Sequence, residues 1–229
     1  MCGTSRSVRI PADRDELRGD LTIPARASGV VLFAHGSGSS RLSPRNQQVA
    51  RTIQVSGTAT LLFDLLTPAE ERADAADGHL RFDIGLLARR LTSAVDWICR
   101  RPETRHLGIG LFGASTGGAA ALVAAAELGP LVQAVVSRGG RPDLASEALQ
   151  RVTSPTLLIV GGRDEAVLRL NRQACERLCG VKQLVVVPGA THLFEEPGTL
   201  DEAAAFAAGW FRQYLARRQP DQVPAATRG

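Results

Sequence analysis

The feature that most constrains this chain is a change of pattern at Val30. Before it, two short runs, "SVRI" and "LRGDLTIP", alternate apolar and polar residues, as an antiparallel edge hairpin does. After it come six runs without alternation: "GVVLFAH", "ATLLFD", "HLGIGLF", "VQAVVS", "TLLIVGG" and "KQLVVVP". Continuous apolar runs of this length suit parallel strands covered on both faces. Helical patterns separate them, at Pro44 to Ser56, Arg81 to Arg101, Ser115 to Leu128 and Glu165 to Cys179, and Thr199 to Arg218 closes the series. In the second, Ile84, Leu87, Leu91, Val95 and Ile98 recur at spacings of three and four, which makes one apolar stripe. A shorter helix is expected over Leu144 to Val152. Strands alternating with helices imply an α/β fold, a doubly wound, eight-stranded, mostly parallel sheet with helices on both faces.

The 229 residues suffice for one domain with a proper core, expected over 1–218, and 44% apolar against 22% charged residues is a globular composition. The last stretch, "QPDQVPAATRG" (219–229), lacks apolar side chains able to dock and reads as a flexible tail. No apolar run reaches the roughly 18 residues of a membrane span. The polar N-terminus does not read as a secretory signal, so a soluble, cytoplasmic protein without a membrane partner is expected. The net charge of +4 comes from scattered basic residues, all arginine except Lys182, which argues against a nucleic-acid surface. Cys175 and Cys179 stand four apart on a helix, but no second Cys/His pair accompanies them, so no metal site is expected.

In open α/β sheets ligands bind beyond the carboxyl ends of the strands. Four loops at those ends carry chemistry. Ser115 lies in Gly113-Ala114-Ser115-Thr116-Gly117, between a strand and an alanine-rich helix that stops at Gly129-Pro130. That is the form of a nucleophile elbow, where flanking glycines remove side chains that would clash; the alternative is a serine capping a closely packed helix. Asp164 follows the seventh strand in "GGRDE", and His192 follows the eighth in "PGATHLFEE". A serine hydroxyl needs a base during attack, which His192 can be, and a carboxylate to hold that imidazole, which Asp164 can be. Asp143, after the sixth strand, is the second choice of acid. Glu195 and Glu196 are expected at the start of the next helix, and His79 and His106 read as incidental.

The order Ser, Asp, His along one sheet edge is that of the α/β-hydrolases, which the chain resembles from about Val8 to Leu215. The stretches "HGSGSSRLSPRN", "FGASTGG", "GGRDE" and "GATHLFEEPG" are similar to those of dienelactone-hydrolase-like small serine hydrolases. Some relatives of that kind are fused to phosphoribosyltransferase domains. Dienelactone hydrolases proper carry a cysteine nucleophile where this chain has Ser115.

Oxyanion donors are expected from the backbone N–H groups of Thr116 and Ser37, with His35 shaping the loop that carries Ser37. Arginines Arg41, Arg45, Arg138, Arg141 and Arg163 gather on the same rim. Arg41 and Arg138 are candidate ligands for an anionic substrate group, and pairing with rim carboxylates such as Asp64 and Asp143 is the alternative. The connection Ser137 to Ser154 is too short for a cap domain, and Asp64 to Leu80, polar and acidic, is expected to wall the cleft. Together these features point to hydrolysis of small carboxylic esters or lactones through an acyl-serine, with no cofactor. Acyl transfer, cleavage of a thioester, carbon–carbon or phosphotriester bond, and a non-catalytic binding role on the same fold are the alternatives. A small-molecule substrate is the expected partner, and a homodimer is left open.

Overall fold

The computed structural model describes residues 3–218; the expected tail lies outside them. The chain forms β1 (Thr4–Ala12), β2 (Asp15–Ile23), β3 (Gly29–Ala34), α1 (Pro44–Val55), β4 (Ala59–Phe63), α2 (Pro68–Asp74), α3 (Ile84–Arg100), β5 (Gly108–Ala114), α4 (Thr116–Leu128), β6 (Val132–Arg138), β7 (Thr156–Gly161), α5 (Glu165–Arg177), β8 (Lys182–Val187) and α6 (Thr199–Tyr214). One eight-stranded sheet runs in the order β1-β2-β4-β3-β5-β6-β7-β8. β1 and β2 pair antiparallel, β2 joins β4 antiparallel, and the other neighbours are parallel. The expected α/β-hydrolase architecture is present, and no cap domain occurs among the described residues.

Both faces of the sheet are covered, which explains the missing alternation. Every residue of β3, β4, β5 and β7 is buried. On one face the stripe Leu87, Leu91, Val95 and Ile98 of α3 packs with the alanines of α4 against Leu32, Leu61 and Leu111. On the other, Val49 and Ile53 of α1 and Ala204, Ala207 and Phe211 of α6 cover Val31, Phe33 and Phe112. The Phe33 and Phe112 rings lie 4.7 Å apart across adjacent strands, a pairing that adds to their burial.

Several boundaries differ from expectation, each for a local reason. The edge hairpin is longer than its apolar pattern, nine residues per strand, because backbone pairing continues through exposed positions. α3 begins at Ile84, not Arg81, because the Asp83 side chain accepts from Leu86 N–H and caps it. α5 stops at Arg177 where Leu178 turns extended, and α6 ends at Tyr214 where Leu215 does. The segment Pro142–Arg151 is 3-10 rather than α, broken at Ser146 by a positive φ. The connection after β4 is not plain loop: it holds α2, whose Thr67 and Glu70 form a reciprocal capping box with Pro68 at the first turn.

Candidate active site

The site is assembled at the carboxyl ends of β3, β5, β7 and β8, and begins with β5 and α4. Ser115 caps α4 with φ 52° and ψ −123°, a strained conformation for a residue with a Cβ. Crowding around it dictates the glycines. A Cβ on Gly113 would lie 2.3 Å from the Gly117 carbonyl oxygen, and one on Gly117 would lie 2.1 Å from that of Ala34. Only bare backbone lets the strand, turn and helix close together. The Ser115 N–H donates to the Arg138 carbonyl at 3.2 Å, and the Ser115 carbonyl accepts from the N–H groups of Gly118 and Arg141. The serine is thus fixed from both sides by its own helix and by β6.

His192 Nδ1 lies 2.6 Å from Asp164 Oδ2, and His192 Nε2 lies 3.4 Å from Ser115 Oγ. A carboxylate can only accept, so Nδ1 carries the proton and Nε2 presents its lone pair to the serine. The structure brings Ser115, His192 and Asp164 together in one hydrogen-bonded line. It does not bring Asp143 to it. Both Asp143 oxygens accept from Arg141, at 2.9 and 2.7 Å.

Two neighbours of His192 depart from expectation. Glu195 and Glu196 precede α6, which starts at Thr199, and lie in the loop. Glu196 Oε2 accepts from the Thr191 N–H at 3.0 Å, an interaction that closes the turn carrying His192 and keeps the carboxyl below its ordinary pKa. Phe194, with φ 56°, is buried under the same turn.

The β3 loop lies against the elbow: a Cβ on Gly36 would come 3.1 Å from Ser115 Cβ. His35 organises this loop. Its Nε2 accepts from the Leu65 N–H at 3.0 Å, so Nδ1 bears the hydrogen and donates to the Gly36 carbonyl, also at 3.0 Å. Burial is the main reason that the imidazole is held below its ordinary pKa, in keeping with a neutral ring. In a trans peptide the N–H points opposite to the C=O, so the bond to Gly36 turns the Ser37 N–H the other way. It meets Thr116 Oγ1 at 2.9 Å. Both expected oxyanion donors therefore sit beside each other. Thr116 is the first residue of α4, so its own N–H has no partner within the helix. The Thr116 hydroxyl engaging Ser37 was not foreseen, and nothing in the sequence shows which way that hydroxyl turns.

A cleft of about 580 Å³ opens between the Gly36 to Arg45 loop and the segment after β4; Gly36, which packs on Ser115, lines it, while Ser115 and His192 do not. Leu65, Leu66 and Leu87 form its floor, and Glu71, Asp74 and Arg81 its far wall. The expectation that the post-β4 connection walls the cleft is met. Asp74 is no free carboxylate, for it accepts from the Leu80 N–H, the Arg81 N–H and the Arg81 guanidinium. Of the rim arginines, Arg41 binds Asp64 and Asp20, Arg45 binds Glu195, and Arg141 binds Asp143. For Arg41 the pairing alternative describes the structure, and its guanidinium is committed to protein carboxylates. Arg138 differs: it is buried and pairs with no carboxylate among the described residues.

The dienelactone hydrolase family model matches residues 19–215. The chain belongs to the dienelactone hydrolase family. The crystal structure of a dienelactone hydrolase from Anabaena variabilis ATCC 29413 is 58% identical, with a TM-score of 0.92 over 93% of this chain and 99% of that one. Two curated proteins of Mycobacterium tuberculosis, from strains H37Rv and CDC 1551, are each 56% identical over 208 residues and are named "Putative phosphoribosyl transferase". The match covers 91% of this chain but 46% of each, so the chain spans about half the length of those relatives. Est1E of Butyrivibrio proteoclasticus, at 17% identity and a TM-score of 0.73, shares the fold. A hydrolase is the activity class that the family and the fold support. Among the described residues no helix is long and apolar enough to cross a membrane.

Proposed function

We propose that the chain is a serine hydrolase of small carboxylic esters or lactones that works through an acyl-serine intermediate. The observation that carries this reading is the line from Asp164 through His192 to a serine on a strained elbow, with bond lengths of 2.6 and 3.4 Å. Ser115 Oγ attacks the carbonyl carbon while His192 Nε2 takes its proton. Asp164 keeps the other ring nitrogen protonated and stabilises the imidazolium that forms. The 3.4 Å contact shortens as substrate closes the site, as apo distances of this kind do. The developing oxyanion settles between the N–H groups of Thr116 and Ser37; the Thr116 hydroxyl rotates away and leaves the Ser37 N–H, held in place by the His35 clamp, to the substrate oxygen. His192 then returns its proton to the leaving alcohol. Water, activated by the same imidazole, releases the acid.

The transferase name borne by the mycobacterial relatives does not decide the activity of this stretch, which makes up 46% of them. The test is Ser115→Ala, which removes the hydroxyl and little volume. Turnover of p-nitrophenyl acetate should fall by at least about 10³-fold, and a fluorophosphonate probe should label the wild-type chain but not the variant. Undiminished turnover or labelling in a folded variant would refute the assignment.

A further inference from the structure

Arg138 closes β6 with its side chain 7% exposed, on the face covered by α1 and α6. Its Nε and Nη1 are shut off from solvent and have no hydrogen-bond partner among the described residues. Its Nη2 reaches only Asn46 Oδ1, at 3.5 Å. The guanidinium carbon stands 5.9 Å from the Phe112 ring and 5.8 Å from the Phe194 ring. Burial, with Arg45 nearby, lowers its pKa to about 10, so it stays charged at neutral pH. A buried charge lacking an opposite charge is costly, and an apolar side chain would fill the space between two phenylalanines at less expense. Arg41, Arg45, Arg81, Arg90 and Arg141 all have a carboxylate, so the chain does not lack acids for such a role.

The nearest charged side chain is another arginine, Arg45, whose own partner is Glu195. Asn46 lies in the first turn of α1, a twelve-residue helix with no acid in that turn, and Arg45 lies beside it. In this turn Pro44 has no N–H and Ser43 Oγ caps the Asn46 N–H, which leaves the Arg45 N–H and the positive helix end to an anion, and the guanidinium reaches the turn at Asn46. The Asn46 amide can turn to present N–H instead of oxygen. The outer side of the same turn, Ser43 to Arg45, lines the cleft. Through its backbone, Arg138 is one hydrogen bond from the nucleophile, by way of the Ser115 N–H.

We propose that Arg138, Asn46 and the first turn of α1 form a subsite for a single oxyanionic group, carboxylate or phosphate, carried by the substrate. The subsite rests on the hydrolase reading for its role, but its binding can be tested without turnover. Isothermal titration calorimetry of inorganic phosphate and of succinate into the Ser115→Ala chain is the direct measurement. At least one anion should bind, and more weakly by roughly tenfold or more in Arg138→Gln, the loss expected when one partner of a close charge pair is removed. Asn46→Asp is the second variant. It gives Arg138 an internal carboxylate, which should preserve the fold while displacing the anion. In kinetics, p-nitrophenyl esters whose acyl chain ends in a carboxylate or a phosphate should have lower KM than neutral isosteres, and Asn46→Asp should erase that difference. Preference for one anion identifies the substrate group. If neither anion binds, or if binding survives both variants unchanged, the subsite is wrong. An inactive chain that still binds phosphate through Arg138 would instead sink the hydrolase reading and leave the subsite standing.

Discussion

His35 ties two effects together that substitution can separate. The ring accepts from Leu65 N–H through Nε2 and donates to the Gly36 carbonyl through Nδ1, so each nitrogen has its own consequence. The amide of His35→Asn places an N–H near the former Nδ1 and keeps the clamp on Gly36, but orphans the buried Leu65 N–H. That should cost about 1–3 kcal/mol of stability and little activity. The longer His35→Gln reaches the former Nε2 position and can accept from Leu65, but releases the Gly36–Ser37 peptide. Full loss of one oxyanion donor costs about 10²–10³-fold in kcat. A peptide that is freed rather than removed should cost less, about 10–100-fold, with stability close to wild type. Urea denaturation and steady-state hydrolysis of p-nitrophenyl acetate measure the two effects separately. If the two variants rank the same way in both assays, or if His35→Gln keeps full kcat, the argument from the tautomer fails. Stability should also respond to pH. Burial lowers the folded-state pKa of His35 below 6.5. As pH falls through 6.5 the unfolded chain therefore binds a proton that the folded chain refuses. Stability declines by up to about 1.4 kcal/mol per pH unit until the folded pKa is reached. His35→Gln should remove that increment from the difference between the two stability profiles.

Asp164→Asn should lower kcat by orders of magnitude by favouring the wrong imidazole tautomer, and Asp143→Asn, which only loosens Arg141, should leave it within a fewfold; the reverse ranking would move the acid to β6. Across p-nitrophenyl esters from acetate to palmitate, kcat/KM should be highest for short acyl chains. The cleft is open and lidless, and a methylene left in water gains none of the roughly 0.8 kcal/mol of burial. A maximum at about ten carbons or longer would mean that an apolar wall from elsewhere completes the site.

Sequence alone exposed the strand ends and the residues on them, because burial on both faces leaves an unbroken apolar run and an elbow demands small residues. It put Asp164 ahead of Asp143 as the acid without being able to show where either side chain goes. Each follows a strand at the same edge, and what distinguishes them is where the side chain goes: Asp143 turns to Arg141, two residues before it. The partners of Arg41 come from β2 and the end of β4, 21 and 23 residues away, and only the sheet order brings them to it. Arg138 was legible as a rim arginine but not as an unpaired one, since the lack of a carboxylate is a property of the folded neighbourhood. The helix α2 was in plain view: Thr67-Pro68-Ala69-Glu70 is a capping-box sequence with proline at the first helical position. The polarity of the segment hid it, because a short exposed helix carries no apolar stripe.

That helix bears on what the cleft can accept. Without a cap, the outer wall of the cleft is the unit from Leu65 to Leu87, and this unit is pinned at three points. Its start is held by His35 through Leu65 N–H. Its middle is held by the buried Arg90, which bridges Glu70 of α2 to Asp15 of the edge hairpin and also donates to the Ala12 carbonyl. Its end is held by Asp74, which gathers Leu80 and Arg81. A wall fixed in this way does not close over a substrate as a hinged lid does. On the proposed hydrolase reading, selection comes from groups already in place: Leu65, Leu66 and Leu87 and the Gly36–Ser37 peptide clamped by His35. The same residue, His35, anchors the Gly36–Ser37 loop and the wall, so a change that shifts the wall also shifts the Ser37 N–H. In the proposed mechanism, substrate fit and oxyanion stabilisation are therefore coupled through one imidazole.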